Sequence, residues 1–256
     1  MRRLTAVLSI SLIVLSLPLI RAEARHYDAR TGRFLSVDQN AGKYASWSPY
    51  VYALDNPLKY VDPSGKDAIP IVFKDYKISA LGMKWSGLGH AGILLIDNKT
   101  GLAKYYEYGR YDKEGKGIVR QRAVPNVAMD KNTGMPTQES LNKVLGVISK
   151  EAGHGGDVTG AYVKNDNFKE MNEHAQEQKA QNDNPDRKEY SITGNNCATF
   201  MKETLEAGGT ETPSMVDPRP NSYIEELRNV YQDVNYSATK NQTTVETTEK
   251  KKDEHK

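Results

Sequence analysis

Cys197 is the only cysteine in 256 residues, and it is the first side chain to consider as a source of chemistry. One thiol cannot form an intramolecular disulfide or supply a zinc cluster of several thiolates, so it is either an inert buried side chain or a nucleophile. It stands in Thr193-Gly194-Asn195-Asn196-Cys197-Ala198-Thr199-Phe200. Asn195 or Asn196 is a good N-cap and Gly208 a good stop, so the spacing predicts a helix of roughly three turns with the thiol in its first turn. Cys197, Phe200, Met201, Thr204 and Leu205 recur at intervals of three and four, which turns the thiol toward the body of the fold. Near Asn195 and Asn196 it meets the positive end of the helix dipole and unpaired backbone N–H groups. These lower its pKa and can hold an oxyanion.

A nucleophilic thiol needs a base, and His90 is the candidate. It opens the apolar run His90-Ala91-Gly92-Ile93-Leu94-Leu95-Ile96, after the flexible approach Ser86-Gly87-Leu88-Gly89. The turn-rich link Asp97-Asn98-Lys99-Thr100-Gly101 predicts a hairpin with the strand Leu102 to Tyr108. If Asp97 faces Leu102, Glu107 lies diagonally beside His90 on one sheet face, where a carboxylate accepts the ring N–H and fixes the tautomer. A slip of one residue would put Tyr106 or Tyr108 there instead. The other histidines offer less: His154 lies in a glycine turn, His174 on a polar helix, and His26 and His255 outside the domain. No HExxH or paired spacing appears, so neither metal nor cofactor is expected. Trp85 and the cluster Tyr105, Tyr106, Tyr108 and Tyr111 are read as strand packing, with groove lining as the alternative.

The elements that must position these groups read as α+β. Strands are expected within Ile69 to Ile78, over Gly89 to Ile96, from Leu102, around Gly160 to Val163 and near Glu189 to Thr193. Helices are expected over 138–151, with Leu141, Val144, Leu145 and Ile148 on one face, and from about Phe168 to Gln181. Beyond Tyr236 the chain is Thr, Asn, Lys and Glu, which predicts a disordered tail over 236–256. The 35 basic residues nearly balance the 33 acidic ones, which excludes a dedicated nucleic-acid binder with a clear excess of Lys and Arg.

At the N-terminus, Arg2 and Arg3 precede an apolar run from Leu4 to Ile20 and the small-x-small site Ala22-Glu23-Ala24. This reads as a signal peptide over 1–24, with an uncleaved membrane anchor as the alternative. Residues 25–66 carry His26-Tyr27-Asp28-Ala29-Arg30-Thr31-Gly32-Arg33-Phe34 and Asp55-Asn56-Pro57 through Asp62-Pro63-Ser64-Gly65. This strip resembles the C-terminal end of the RHS repeat-associated core, which in that family adjoins a variable effector domain. The resemblance implies that the chain beyond Gly65 is the effector, and that Asp62 and Gly65 are what remains of a self-cleavage motif. Where the family's first such motif stands, this chain has Asp38-Gln39-Asn40-Ala41.

The order His90, Glu107, Cys197, carried by Gly89-His90-Ala91-Gly92-Ile93 and Asn196-Cys197-Ala198-Thr199-Phe200, resembles the circularly permuted NlpC/P60 superfamily of papain-like proteins. The resemblance covers about residues 70 to 230 and implies a catalytic domain over 70–232, with an antiparallel sheet packed against helices that include the cysteine helix. With the leader predicting export from a bacterial cell, the resemblance implies a hydrolase of amide bonds, with peptidoglycan peptides as substrate, a role as a toxin in interbacterial competition and an immunity protein as partner. Contact with a membrane is expected only through an uncleaved N-terminal segment. Acyltransferase, lipid deacylase and protein deamidase activities fit the same triad, and a non-enzymatic RHS remnant that binds a surface is the alternative outside enzymology.

Overall fold

The computed structural model describes residues 27–28, 33–34, 48, 50, 66–80, 83–85, 87–165 and 167–246. The chain divides into two units, residues 1–60 and 61–256. In the first, the two-residue strands β1 (Tyr27–Asp28) and β2 (Arg33–Phe34) pair antiparallel, Tyr27 opposite Phe34. The leader over 1–24, most of the RHS-like strip and the pair Asp62 and Gly65 lie outside the described residues. Among the described residues no helix is long and apolar enough to cross a membrane.

The second unit is built on a seven-stranded sheet. Its strands are β3 (Lys66–Phe73), β6 (His90–Ile96), β7 (Ala103–Gly109), β8 (Ile118–Arg122), β9 (Val158–Asn165), β10 (Gln232–Ser237) and β11 (Gln242–Glu246). They run in the order β11-β10-β9-β3-β6-β7-β8, every neighbour antiparallel. A separate hairpin pairs β4 (Ile78–Ala80) with β5 (Met83–Trp85). Every residue of β6 is buried, which is why its sequence reads as one apolar run rather than an alternation: helices cover both faces of the sheet. Alternate residues still serve different cores. Ala91, Ile93 and Leu95 join one, and Leu94 and Ile96 the other.

Helix α1 (Gln138–Ala152) packs on the second face through Leu141, Val144, Leu145 and Ile148. The first face is covered by α2 (Phe168–Ala180), α3 (Cys197–Ala207) and α4 (Pro220–Arg228). The helical periodicities place α1, α2 and α3 within a residue or two of where they form. Asn196 is the cap of α3. Its side chain accepts from the Ala198 and Thr199 N–H groups, and the Thr199 hydroxyl accepts from the Asn196 N–H, completing a reciprocal box.

Three expectations are corrected. Glu189 to Thr193 forms no strand: it is a loop touching the sheet region through one bridge, Lys116 to Glu189, because a turn closed from Gly194 to Ser191 interrupts it. The tail does not begin at 236. Residues 232–246 form a hairpin at the sheet edge, with Thr243 and Val234 buried, since β-branched residues at alternate positions suit an edge strand even in a polar sequence. The domain therefore runs from Lys66 to Glu246 in its described part, not from 70 to 232. Strand β8 and helix α4 have no clear signal in the sequence, because Ile118-Val119-Arg120-Gln121-Arg122 is short and highly charged and α4 is only nine residues long.

Candidate active site

Two local features bring His90 into position. The first is the approach loop, where Gly87 and Gly89 both have positive φ, 85° and 74°. The start of α4 pins this loop: the Asn221 amide donates to the carbonyls of Lys74 (3.1 Å) and Gly87 (3.0 Å), and its N–H donates to Leu88 O. A Cβ on Gly89 would lie 2.0 Å from Asn221 Oδ1, so glycine is required there for space as well as for backbone angle. The second is the hairpin. Asp97 donates its N–H to Leu102 O, and the ladder runs from Ile96 opposite Ala103 to Gly92 opposite Glu107. This is the register expected from the link, and it sets Glu107 diagonal to His90. Gly92 leaves the room taken by the Tyr105 ring, since a Cβ there would come within 2.1 Å of its hydroxyl.

The ladder between β6 and β7 stops at Gly92 and Glu107, and the site lies at that stop. Beyond it, the Ala91 N–H has no partner strand on the β7 side, and it favours the thiolate of Cys197, which the first turn of α3 delivers there. Cys197 is fully buried, and His90 and Glu107 are nearly so.

Around the His90 ring the partners are specific. Nε2 lies 3.2 Å from Glu107 Oε2 and 3.0 Å from the Tyr111 hydroxyl. On the ring's other side the Cys197 thiol is near enough to favour its charged form. Since Nε2 is occupied, the nitrogen left for sulfur is Nδ1. Glu107 accepts on its other oxygen, Oε1, from Arg122 Nε and Nη2, each at 2.9 Å. An aromatic shell fixes the ring plane. Phe73, opposite His90 on β3, stacks at 6.3 Å between centroids and Tyr76 lies at 4.9 Å. His154 stacks on Tyr76 at 4.8 Å, held there by a left-handed backbone, φ 55°. Its place in a glycine turn is as expected, although its stack on Tyr76 is visible only in three dimensions.

Electrostatics follow from these contacts. Burial lowers the His90 pKa, but hydrogen bonds and charge attraction from Cys197 and Glu107 more than offset it and raise the value to about 9. Burial raises the Cys197 pKa, and the His90 hydrogen bond and charge, the Ala91 N–H and the Tyr190 hydroxyl overturn that and bring it below the usual thiol value. The Tyr190 hydroxyl is 3.8 Å from the sulfur. Burial also opposes ionisation of Glu107, yet His90 and Arg122 hold it below the ordinary carboxylate range. The arrangement therefore favours a thiolate and imidazolium pair oriented by a carboxylate.

Such a pair can be detected without any substrate. In the native protein, the rate of Cys197 alkylation by iodoacetamide should rise through an inflection below the free-cysteine value of about 8.5. It should change again near pH 9, where the His90 imidazolium loses its proton. A single inflection at the free-cysteine value would rule out the pair.

Asn195 and Asn196 stand beside the thiol, but neither side chain is available to a substrate. Asn195 donates to the Tyr108 hydroxyl (2.7 Å) and Glu189 O (2.8 Å). Asn196 Nδ2 donates to Ile192 O and Pro218 O while its Oδ1 caps the helix. With Ala198 and Thr199 N–H taken by that cap and Phe200 N–H by the Asn196 carbonyl, the first-turn donor left over is the N–H of Cys197 itself. Of the tyrosine cluster, Tyr105, Tyr106 and Tyr108 are core residues, and Tyr111 alone touches His90. Tyr76, Arg122, Tyr190 and Asn221 join the site although their spacing in the sequence does not point to it. Arg122 reaches Glu107 through the β7 to β8 hairpin, whose second strand has no clear signal in the sequence.

Fold and site together define a mixed α+β domain, a seven-stranded antiparallel sheet with four helices among the described residues, that carries a buried cysteine, histidine and glutamate cluster where two central strands part. The chain belongs to the family of TseH-like type VI secretion system effectors, whose family model matches residues 57–213. The crystal structure of the type VI secretion system effector TseH is similar, with a TM-score of 0.64 and 33% identity over 72% of this chain and 99% of that one. No curated protein sequence matches the chain.

Proposed function

We propose that the protein is an effector enzyme that hydrolyses amide bonds by thiol acyl transfer, on a permuted NlpC/P60 arrangement of the papain-like fold, with peptidoglycan peptides as substrate. The observation that carries this reading is the His90 ring, which faces the Cys197 thiol on one side and Glu107 on the other within a buried site.

In this mechanism the Cys197 thiolate attacks the carbonyl carbon, and the oxyanion so formed is met by the Cys197 N–H at the positive end of α3. The His90 imidazolium gives its proton to the departing amine as the C–N bond breaks, leaving a thioester. Water then attacks the thioester while His90 removes its proton. The second tetrahedral intermediate expels the thiolate, and the pair is restored. Glu107 and Tyr111 hold the ring so that Nδ1 stays on the sulfur through both steps, and Arg122 keeps Glu107 ionised.

Membership of a type VI effector family supports delivery outside the producing cell and a cognate immunity protein in the producer. Cell-wall peptide is the amide substrate that fits delivery into a neighbouring bacterium. The test is digestion of purified sacculi followed by mass analysis of the soluble products. Stem peptides cut at an amide bond, with the glycan unbroken, are the expected result. Intact sacculi alongside a Cys197 that reacts with amide substrates of another class would overturn the peptidoglycan assignment and leave the thiol chemistry in place.

A further inference from the structure

We propose that Arg120 forms a carboxylate-binding subsite at the outer edge of the catalytic cluster, on the Tyr111 side of the His90 ring, so that the substrate carries a free carboxylate. Arg120 sits on β8 directly opposite Glu107, and therefore on the face of the sheet that carries His90. Its guanidinium carbon lies 3.5 Å over the centroid of the Tyr111 ring, and the hydroxyl of that same ring is 3.0 Å from His90 Nε2. Tyr111 thus fixes the cation at the edge of the catalytic cluster.

What singles Arg120 out is that the cluster has no anion left for it. Both oxygens of Glu107 are engaged, one by Arg122 and one by His90. The acidic residues of the β7 to β8 connection are engaged as well: Asp112 pairs with Arg187, and Glu114 with Lys116. Among the described residues no carboxylate lies within ion-pair distance of Arg120, although it is partly screened from solvent. Cys197 thiolate, His90 imidazolium, Glu107 and Arg122 sum to zero charge, so Arg120 leaves the site with one net positive charge. Contact with Tyr111 uses the face of the guanidinium and leaves its N–H edges free. Those edges form the planar fork that matches a carboxylate.

This inference depends on the reading of Cys197 as nucleophile only for where the carboxylate lies relative to the bond that is cut; binding of the carboxylate does not. The experiment therefore uses the full chain with Cys197→Ala and follows the Arg120 side-chain N–H signal by NMR during titration with N-acetylalanine or with its neutral amide, N-acetylalaninamide. The carboxylate should bind roughly fivefold tighter than the amide, the size of one screened charge pair at close range. That preference should vanish in Arg120→Gln and be kept in part in Arg120→Lys. Equal binding of the two ligands, or a preference that survives Arg120→Gln, would overturn the proposal. If the carboxylate preference is found while sacculi stay intact, the peptidoglycan reading fails and the subsite stands.

Discussion

With Cys197 replaced by alanine, release of peptides from sacculi should fall to background, a loss of at least ~10⁴-fold, because a thiol mechanism has no second nucleophile to fall back on. The fold should survive. Cys197 is fully buried but small, so deleting one sulfur leaves a cavity that costs about 1 kcal/mol. It also removes the negative partner that keeps His90 protonated, and the histidine pKa should drop from about 9. The variant therefore separates two readings. A domain that acts by binding would keep its effect on a target cell when delivered to the periplasm with Cys197→Ala, and that result would sink the enzymatic reading.

The second large effect is at Glu107, where two substitutions give different outcomes. In Glu107→Gln the amide oxygen is drawn to the Arg122 donors that now hold Oε1, which leaves the amide NH₂ facing His90 Nε2. An amide donor there reverses the tautomer, so that Nδ1 carries the proton and points it at the thiol. The base is then occupied, and kcat should fall by ~10³ to 10⁴ with little change in melting temperature. Glu107→Ala instead leaves Arg122 and the buried His90 without their carboxylate. Breaking a buried pair in this way costs about 3 kcal/mol, partly relieved because Arg122 reaches solvent. For a chain of this size that is roughly a 10 °C drop in melting temperature. A Glu107→Gln protein that retains most of its activity would show that the carboxylate serves packing alone.

Much of this site is legible in the sequence because its parts are set by short-range chemistry. Asn196, Thr199 and Gly208 mark the ends of α3 whatever it packs against, so the position of Cys197 in a first turn follows from a few consecutive residues. The pairing of β6 with β7 follows from one turn, Asp97 to Gly101, and with it the diagonal placement of Glu107 and His90. The C-terminal hairpin escapes such reading for the same reason in reverse. Polar strands β10 and β11 have no strong local signal, and they form because β9 offers an edge to pair with.

The partners that set the protonation states are not legible in this way. Arg122 reaches Glu107 only because β8 closes the hairpin in one register, and Tyr111 reaches His90 because the chain folds back over Gly109 after β7. Asn221 and His154 come from distant parts of the chain to hold the loop and the ring stack. Sequence by itself determined the residue types, the helix that presents the thiol and the hairpin that sets Glu107 beside His90. Tertiary structure alone decided that Cys197 and His90 come together, because that depends on α3 packing against the sheet at the point where β6 and β7 part. The Ala91 N–H, without a β7 partner there, favours the thiolate, and burial makes each remaining charge depend on its neighbour.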